Sequence, residues 1–132
     1  MVSPDATPRP IDHVLRGQPH APALIDREGV VDYAAAEDAV ARLAGWLAGL
    51  GLAAGARVAT WLPKTRVACW MPLAAARAGL VHVPVNPVLR RAQVAHILAD
   101  SGAALLLTQD ARAATLEAAD VPEGCRVVTE AG

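Results

Sequence analysis

From Gly55 onward the sequence alternates short apolar runs with helix-length segments, and few folds satisfy that rhythm. Parallel strands need a crossover long enough to carry the chain back to the same end of the sheet, and strands covered on both faces read as continuous apolar runs. Residues 57–62 form such a run, 65–78 have the length of a crossover helix, and 80–85 form a second run. The unit then repeats. Residues 90–99 place Val94, Ile97 and Leu98 inward on a helix that Ser101 and Gly102 close, and 103–108 give a third strand. A further helical segment is expected over 111–119 and a last strand over 126–129. The fold class is therefore α/β, a mostly parallel sheet with crossover helices. A sheet of this kind covers both faces, so a strand with no helix after it reads as part of a larger domain. Pro72 falls inside the first crossover helix, where it removes a hydrogen bond at a cost of about 3 kcal/mol, and predicts a kink or a break.

Before Gly55 the pattern differs. Residues 1–10 hold three prolines and little that could pack, and read as a flexible lead-in. A short helix is expected over 11–18. The stretch ALIDREGVVDY sets two apolar runs around a polar turn containing glycine, the pattern of a β-hairpin. Asp32 can cap the helix that follows, because its carboxylate can accept from the unpaired amides of the first turn. Ala36, Val40, Leu43, Leu47 and Leu50 then recur at spacings of four and three and place one apolar stripe on one helix face. Gly49 and Gly51 should end it in the left-handed conformation.

With 54% hydrophobic and 19% charged residues in 132, the chain can bury a core and is not expected to be disordered. Twelve Lys and Arg against 13 Asp and Glu leave a net charge of −1, without the basic cluster that a nucleic acid partner requires. No run reaches the roughly 18 apolar residues of a membrane span, and the N-terminus lacks the apolar core of a secretory signal. A cytoplasmic location is the expectation. Cys69 and Cys125 have no CxxC spacing and read as free, buried thiols.

Catalytic constellations are missing from these residues. Gly49, Gly51 and Gly55 follow a helix and precede a strand, the reverse of a dinucleotide loop. There is no GxxxxGK[ST], GxSxG or HExxH. Lys64 stands at the carboxyl end of a strand, the edge where ligands of open α/β sheets bind, and could meet an anion or simply be solvated in its turn. His82 and His96 sit among apolar neighbours with no acid or nucleophile beside them, and read as packed or partly exposed side chains. Arg90 and Arg91 open a helix after Asn86-Pro87, which is a phosphate contact or a solvated pair.

Taken together, residues of about 21–108 resemble the start of the adenylate-forming, or AMP-binding, superfamily, which includes acyl-CoA synthetases, luciferases and the adenylation domains of peptide synthetases. Gly51 to Val58 is similar to the family's G-x-x-x-G-D-x-V stretch, and Leu62-Pro63 stands where relatives have Leu-Pro-Asn. Ala76 to Gly79, then Val83-Pro84-Val85-Asn86-Pro87, and then Ile97-Leu98 with Asp100-Ser101 follow in the family's order. Ala56 departs from the usual acidic residue and Lys64 from the common asparagine. The Leu-Pro-Lys and Pro-Val-Asn-Pro wording most resembles acyl-CoA ligases associated with exosortase systems, and some relatives carry a proline at the position of Pro72.

The resemblance implies that residues 11–132 are the N-terminal portion of the large domain of an ATP-dependent acyl-CoA ligase of fatty acid metabolism. Such an enzyme uses ATP and Mg2+ to activate a small-molecule carboxylic acid as an acyl-adenylate, then transfers the acyl group to coenzyme A. The family's phosphate loop, its adenine and metal motifs and its catalytic lysine match no stretch here, so no catalytic or metal-binding residue is carried over. This stretch alone is expected to be inactive and to bind none of these cofactors tightly, with the downstream part of the same fold as its partner. One cofactor contact is implied, Arg90 near a phosphate of coenzyme A, although Val88 directly follows Pro87 where some relatives have a basic residue. The rival reading is a non-catalytic module that keeps this start of the fold and binds a partner through an uncovered sheet face.

Overall fold

The structure, a computed structural model, describes residues 10–130. All but the last residue of the expected lead-in therefore lies outside the described residues.

A 3-10 turn, Ile11–Val14, comes first. It replaces the longer helix expected over 11–18, because the chain leaves helical geometry at Leu15 and then passes so close to Tyr33 that a Cβ on Gly17 would overlap the ring. The hairpin follows as β1 (Pro22–Asp26) and β2 (Gly29–Asp32), antiparallel, with Asp26 paired to Gly29 across the turn. Helix α1 (Tyr33–Ala48) starts where Asp32 Oδ1 accepts from the Ala35 amide at 2.8 Å, as its sequence predicts. Ala36, Val40 and Leu47 of the expected stripe are buried. The stop is divided differently from expectation. Gly49 stays right-handed at φ −73°, and Gly51, at φ +74°, makes the left-handed turn.

The parallel sheet contains β3 (Arg57–Trp61), β4 (Val81–Val85), β5 (Leu105–Thr108) and β6 (Arg126–Thr129), in the order β4-β3-β5-β6. Its crossovers are α2 (Arg66–Arg77) and α3 (Arg91–Ser101), then a short α4 (Asp110–Ala113). Successive side chains of a strand point to opposite faces, and the two cores follow that alternation. Val58, Leu105 and Leu107 pack under α1 and α2 against Val40, Leu47, Met71 and Ala74. Ala59, Trp61 and Leu106 pack under α3 against Val94 and Leu98. All four residues of β5 are buried.

Three expectations are corrected. Of the kink or break expected at Pro72, the break does not occur, since helix α2 is continuous over Arg66–Arg77. Ala68 and Pro72 both line an open cavity beside β4, so the turn that lacks its hydrogen bond faces that cavity rather than the packed core. The helix expected over 111–119 is instead α4 followed by a separate 3-10 turn, Ala118–Asp120. There the Thr115 hydroxyl donates to the Arg112 carbonyl at 2.7 Å, and the Asp120 carboxylate accepts from the Glu117 amide at 2.8 Å and starts a new turn. Finally, Cys69 is exposed, because α2 turns Trp70, Met71, Ala74 and Ala75 inward. Cys125 is half-buried, and burial pushes its thiol above the usual range.

Candidate functional site

Ligands of open α/β sheets sit outside the carboxyl ends of the strands. At that edge β3 ends in Trp61, and β5 is followed by Gln109. Together with Leu89, Arg90 and Arg91 at the start of α3, and with Ala111, Arg112 and Thr115, they line a cavity of about 570 Å³. Three arginines therefore line one concave site.

The three are not equivalent. Arg91 is taken up structurally: its Nε donates to Asp120 Oδ2 at 2.8 Å, its Nη2 lies 2.8 Å from Glu117 Oε2, and both carboxylates steady its charge. Arg112 is half committed. Its Nη1 donates to the Pro87 carbonyl at 2.6 Å, and its guanidinium carbon lies 5.4 Å from the centre of the Trp61 ring. Arg90 is exposed, and its guanidinium has no ion-pair partner among the described residues. Its backbone caps α3 instead, with the amide donating to Gln93 Oε1 at 2.9 Å. An arginine side chain has no acceptor, so it cannot cap the helix in return, and it stays available to an anion.

Trp61 forms one wall of the cavity. Its backbone carbonyl accepts from the buried Thr108 hydroxyl at 2.7 Å, which ties β3 to β5 at the site. Its side chain is buried, and the indole Nε1 has no hydrogen-bond partner among the described residues.

Lys64 does not join this site. It lies on the rim of another cavity, of about 760 Å³, between α2 and β4, and of a charged groove beside Asp26, Arg27 and Glu28. His82 borders the 760 Å³ cavity, where Nε2 lies 2.7 Å from Thr60 Oγ1 and burial pushes the imidazole below its usual range. His96 is exposed on α3. Sequence reasoning singled out Arg90 and Arg91, which both line this cavity, and passed over Arg112 and Trp61. The carboxyl-end rule, applied to the end of β5 as it was to Lys64, would have pointed to the stretch that contains Arg112.

The family model for AMP-binding enzymes matches residues 11–131. The chain belongs to that family. It is 32% identical over 100 residues to an L-proline--[L-prolyl-carrier protein] ligase of Pseudomonas fluorescens, covering 76% of this chain and 20% of the relative. It is 37% identical over 103 residues to a feruloyl-CoA synthase of an Amycolatopsis species, covering 78% of this chain and 21% of the relative. The solved structure of ATP-bound MatB from Rhodopseudomonas palustris superposes with a TM-score of 0.82 at 25% identity, covering 91% of this chain and 25% of that one. The chain thus spans about a fifth to a quarter of these relatives. They divide between carrier-protein and CoA ligases, so they support the adenylate-forming superfamily without singling out the exosortase-associated subfamily. Among the described residues no helix is long and apolar enough to cross a membrane.

Proposed function

We propose that residues 11–132 are the N-terminal portion of an ATP-dependent acyl-CoA ligase, and that Arg90 contacts a phosphate of coenzyme A. The observation that carries the reading is that Arg90, exposed and without an ion-pair partner among the described residues, lines the cavity at the carboxyl ends of β3 and β5. A phosphate is the ligand such a group recognises best, because the planar fork can donate two hydrogen bonds to one anion. Arg112, held over Trp61, adds a second positive charge to the same wall. The likeness to a feruloyl-CoA synthase supports coenzyme A as the acceptor.

In this reading the carboxylic acid is first activated as an acyl-adenylate, and the thiol of coenzyme A then takes the acyl group. The present residues orient coenzyme A and scaffold the sheet. Among the described residues no group of three His, Cys, Asp or Glu side chains could hold a metal ion, and the sequence has no phosphate loop. ATP and Mg2+ are therefore assigned to other parts of the enzyme.

The test is Arg90→Ala in the full-length chain, with the two half-reactions measured apart. Loss of one charge-assisted contact should raise the KM for coenzyme A about tenfold. Carboxylate-dependent ATP–pyrophosphate exchange should stay at the wild-type rate. An unchanged KM for coenzyme A, or an equal loss in both half-reactions, would remove Arg90 from the coenzyme site. Absence of exchange with any carboxylic acid in the wild-type enzyme would overturn the ligase reading itself.

A further inference from the structure

We infer that the 3-10 turn Ile11–Val14 is a detachable strap across the apolar cavity between α2 and β4, latched by the ion pair between Asp12 and Arg77. The turn has little apolar hold on the fold. None of its residues is buried, and Ile11 and Val14 are 52% and 64% exposed, so hydrophobic burial contributes little to keeping it in place. Its one ion pair among the described residues is Asp12 Oδ2 to Arg77 Nε at 3.0 Å, with side chains 19% and 27% exposed.

The latch can open without leaving a stranded charge. Arg77 is held independently by Glu37 of α1, whose two carboxylate oxygens accept from Nη1 at 2.7 Å and Nη2 at 3.0 Å. When Asp12 leaves, the guanidinium keeps its other counter-charge and Asp12 moves to water. The large penalty for an unpaired charge is thus avoided on both sides. The strap also has a pivot. Leu15 packs against the core, and Gly17 is fitted so closely to the Tyr33 ring that the chain is fixed there while the turn ahead of it is not.

Ile11 of the strap forms one wall of the open 760 Å³ cavity. Leu62, Pro72, Ala76 and Leu80 make most of the lining apolar, and the hydrogen-bonded pair of Thr60 and His82 adds its polar part. Opening the latch therefore removes the Ile11 wall and leaves the half-buried His82 more open to solvent. The imidazole, held below its usual range by burial, is neutral near pH 7 and able to react with an acylating reagent.

Diethyl pyrocarbonate labelling of the full-length chain, read residue by residue by peptide mass spectrometry, tests the strap. In the wild type His82 should label more slowly than exposed His96. Asp12→Ala should speed His82 about fivefold, the most that one partly exposed ion pair commonly holds, with His96 unchanged. The Leu15 amide, which donates to the Asp12 carbonyl at 3.1 Å, should exchange faster by the same factor. Raising salt from about 0.1 M to about 1 M on the wild-type protein should have the same effect without a substitution, because screening weakens the pair. Glu37→Gln should leave His82 labelling unchanged. The inference is overturned if His82 labels as fast as His96 in the wild type. It is equally overturned if neither Asp12→Ala nor salt speeds His82 selectively.

Discussion

The α/β layers and the N-terminal arm, residues 10–32, are held by different forces. In the layers Leu47, Met71, Leu98, Leu105 and Leu106 are fully buried, and both sheet faces are covered by helices. In the arm Ile25 and Val30 are 70% and 61% exposed, and only Val31 counts as buried core. The arm is fastened by charge. Arg66 donates to both oxygens of Asp26 at 2.8 and 2.9 Å, and Arg77 reaches Asp12 and Glu37. Burial of apolar side chains gives a stability that neither charge screening nor titration removes, whereas partly exposed ion pairs contribute little and yield to both. The layers therefore form a rigid platform, and the arm is the part that conditions can loosen.

If that contrast is correct, the largest loss comes from the layers. Met71→Ala removes a fully buried side chain that packs with α1 and the sheet, and should cost about 2–5 kcal/mol. Urea unfolding of the full-length chain would read it as a lowered midpoint at unchanged slope. A cost under about 1 kcal/mol would mean that the site collapses freely and the layers are no better packed than the arm. At the junction of the two regions Asp32→Ala should cost about 1 kcal/mol, since it deletes the acceptor for the Ala35 amide at the start of α1. Asp32→Asn should recover most of that, and failure to do so would show that the charge matters more than the cap.

The same contrast explains what could be read from the sequence. Strands β3 to β6 were legible as short continuous apolar runs, helices α1 and α3 by apolar positions at helical spacing, α2 by its length between two strands, and the hairpin by the polar, glycine-containing turn between two apolar runs. The cap at Asp32 was legible for the same local reason. Elements fixed by contacts distant in sequence were not. Arg66 finds Asp26 across 40 positions and Arg77 finds Asp12 across 65, and no local pattern marks such pairs. Gly17 must be small only because Tyr33 lies against it, and Pro72 lines a cavity that no window of sequence encloses. At the candidate site Arg90 and Arg91 look alike in sequence, and only the positions of Asp120 and Glu117 separate the structural arginine from the free one.

The smallest effect expected is also the most direct probe of the arm. The two hydrogen bonds from Arg66, with the amides of Glu28 and Gly29, hold the Asp26 carboxyl at about 2, against an ordinary value of 3.8. Because the folded value lies below the unfolded one, this group's stabilising contribution is complete above pH 3.8 and is lost as the pH falls towards 2. Over that window the hairpin turn should loosen before the sheet does. An NMR titration of the Asp26 carboxyl should show its midpoint rising towards 3.8 in Arg66→Ala, with the Leu106 amide still protected from exchange. A midpoint that stays near 2 without Arg66 would assign the shift to the turn amides alone. The hairpin would then be a self-contained unit resting on α2, and the arm would lose one of the two arginine fastenings that set it apart from the layers.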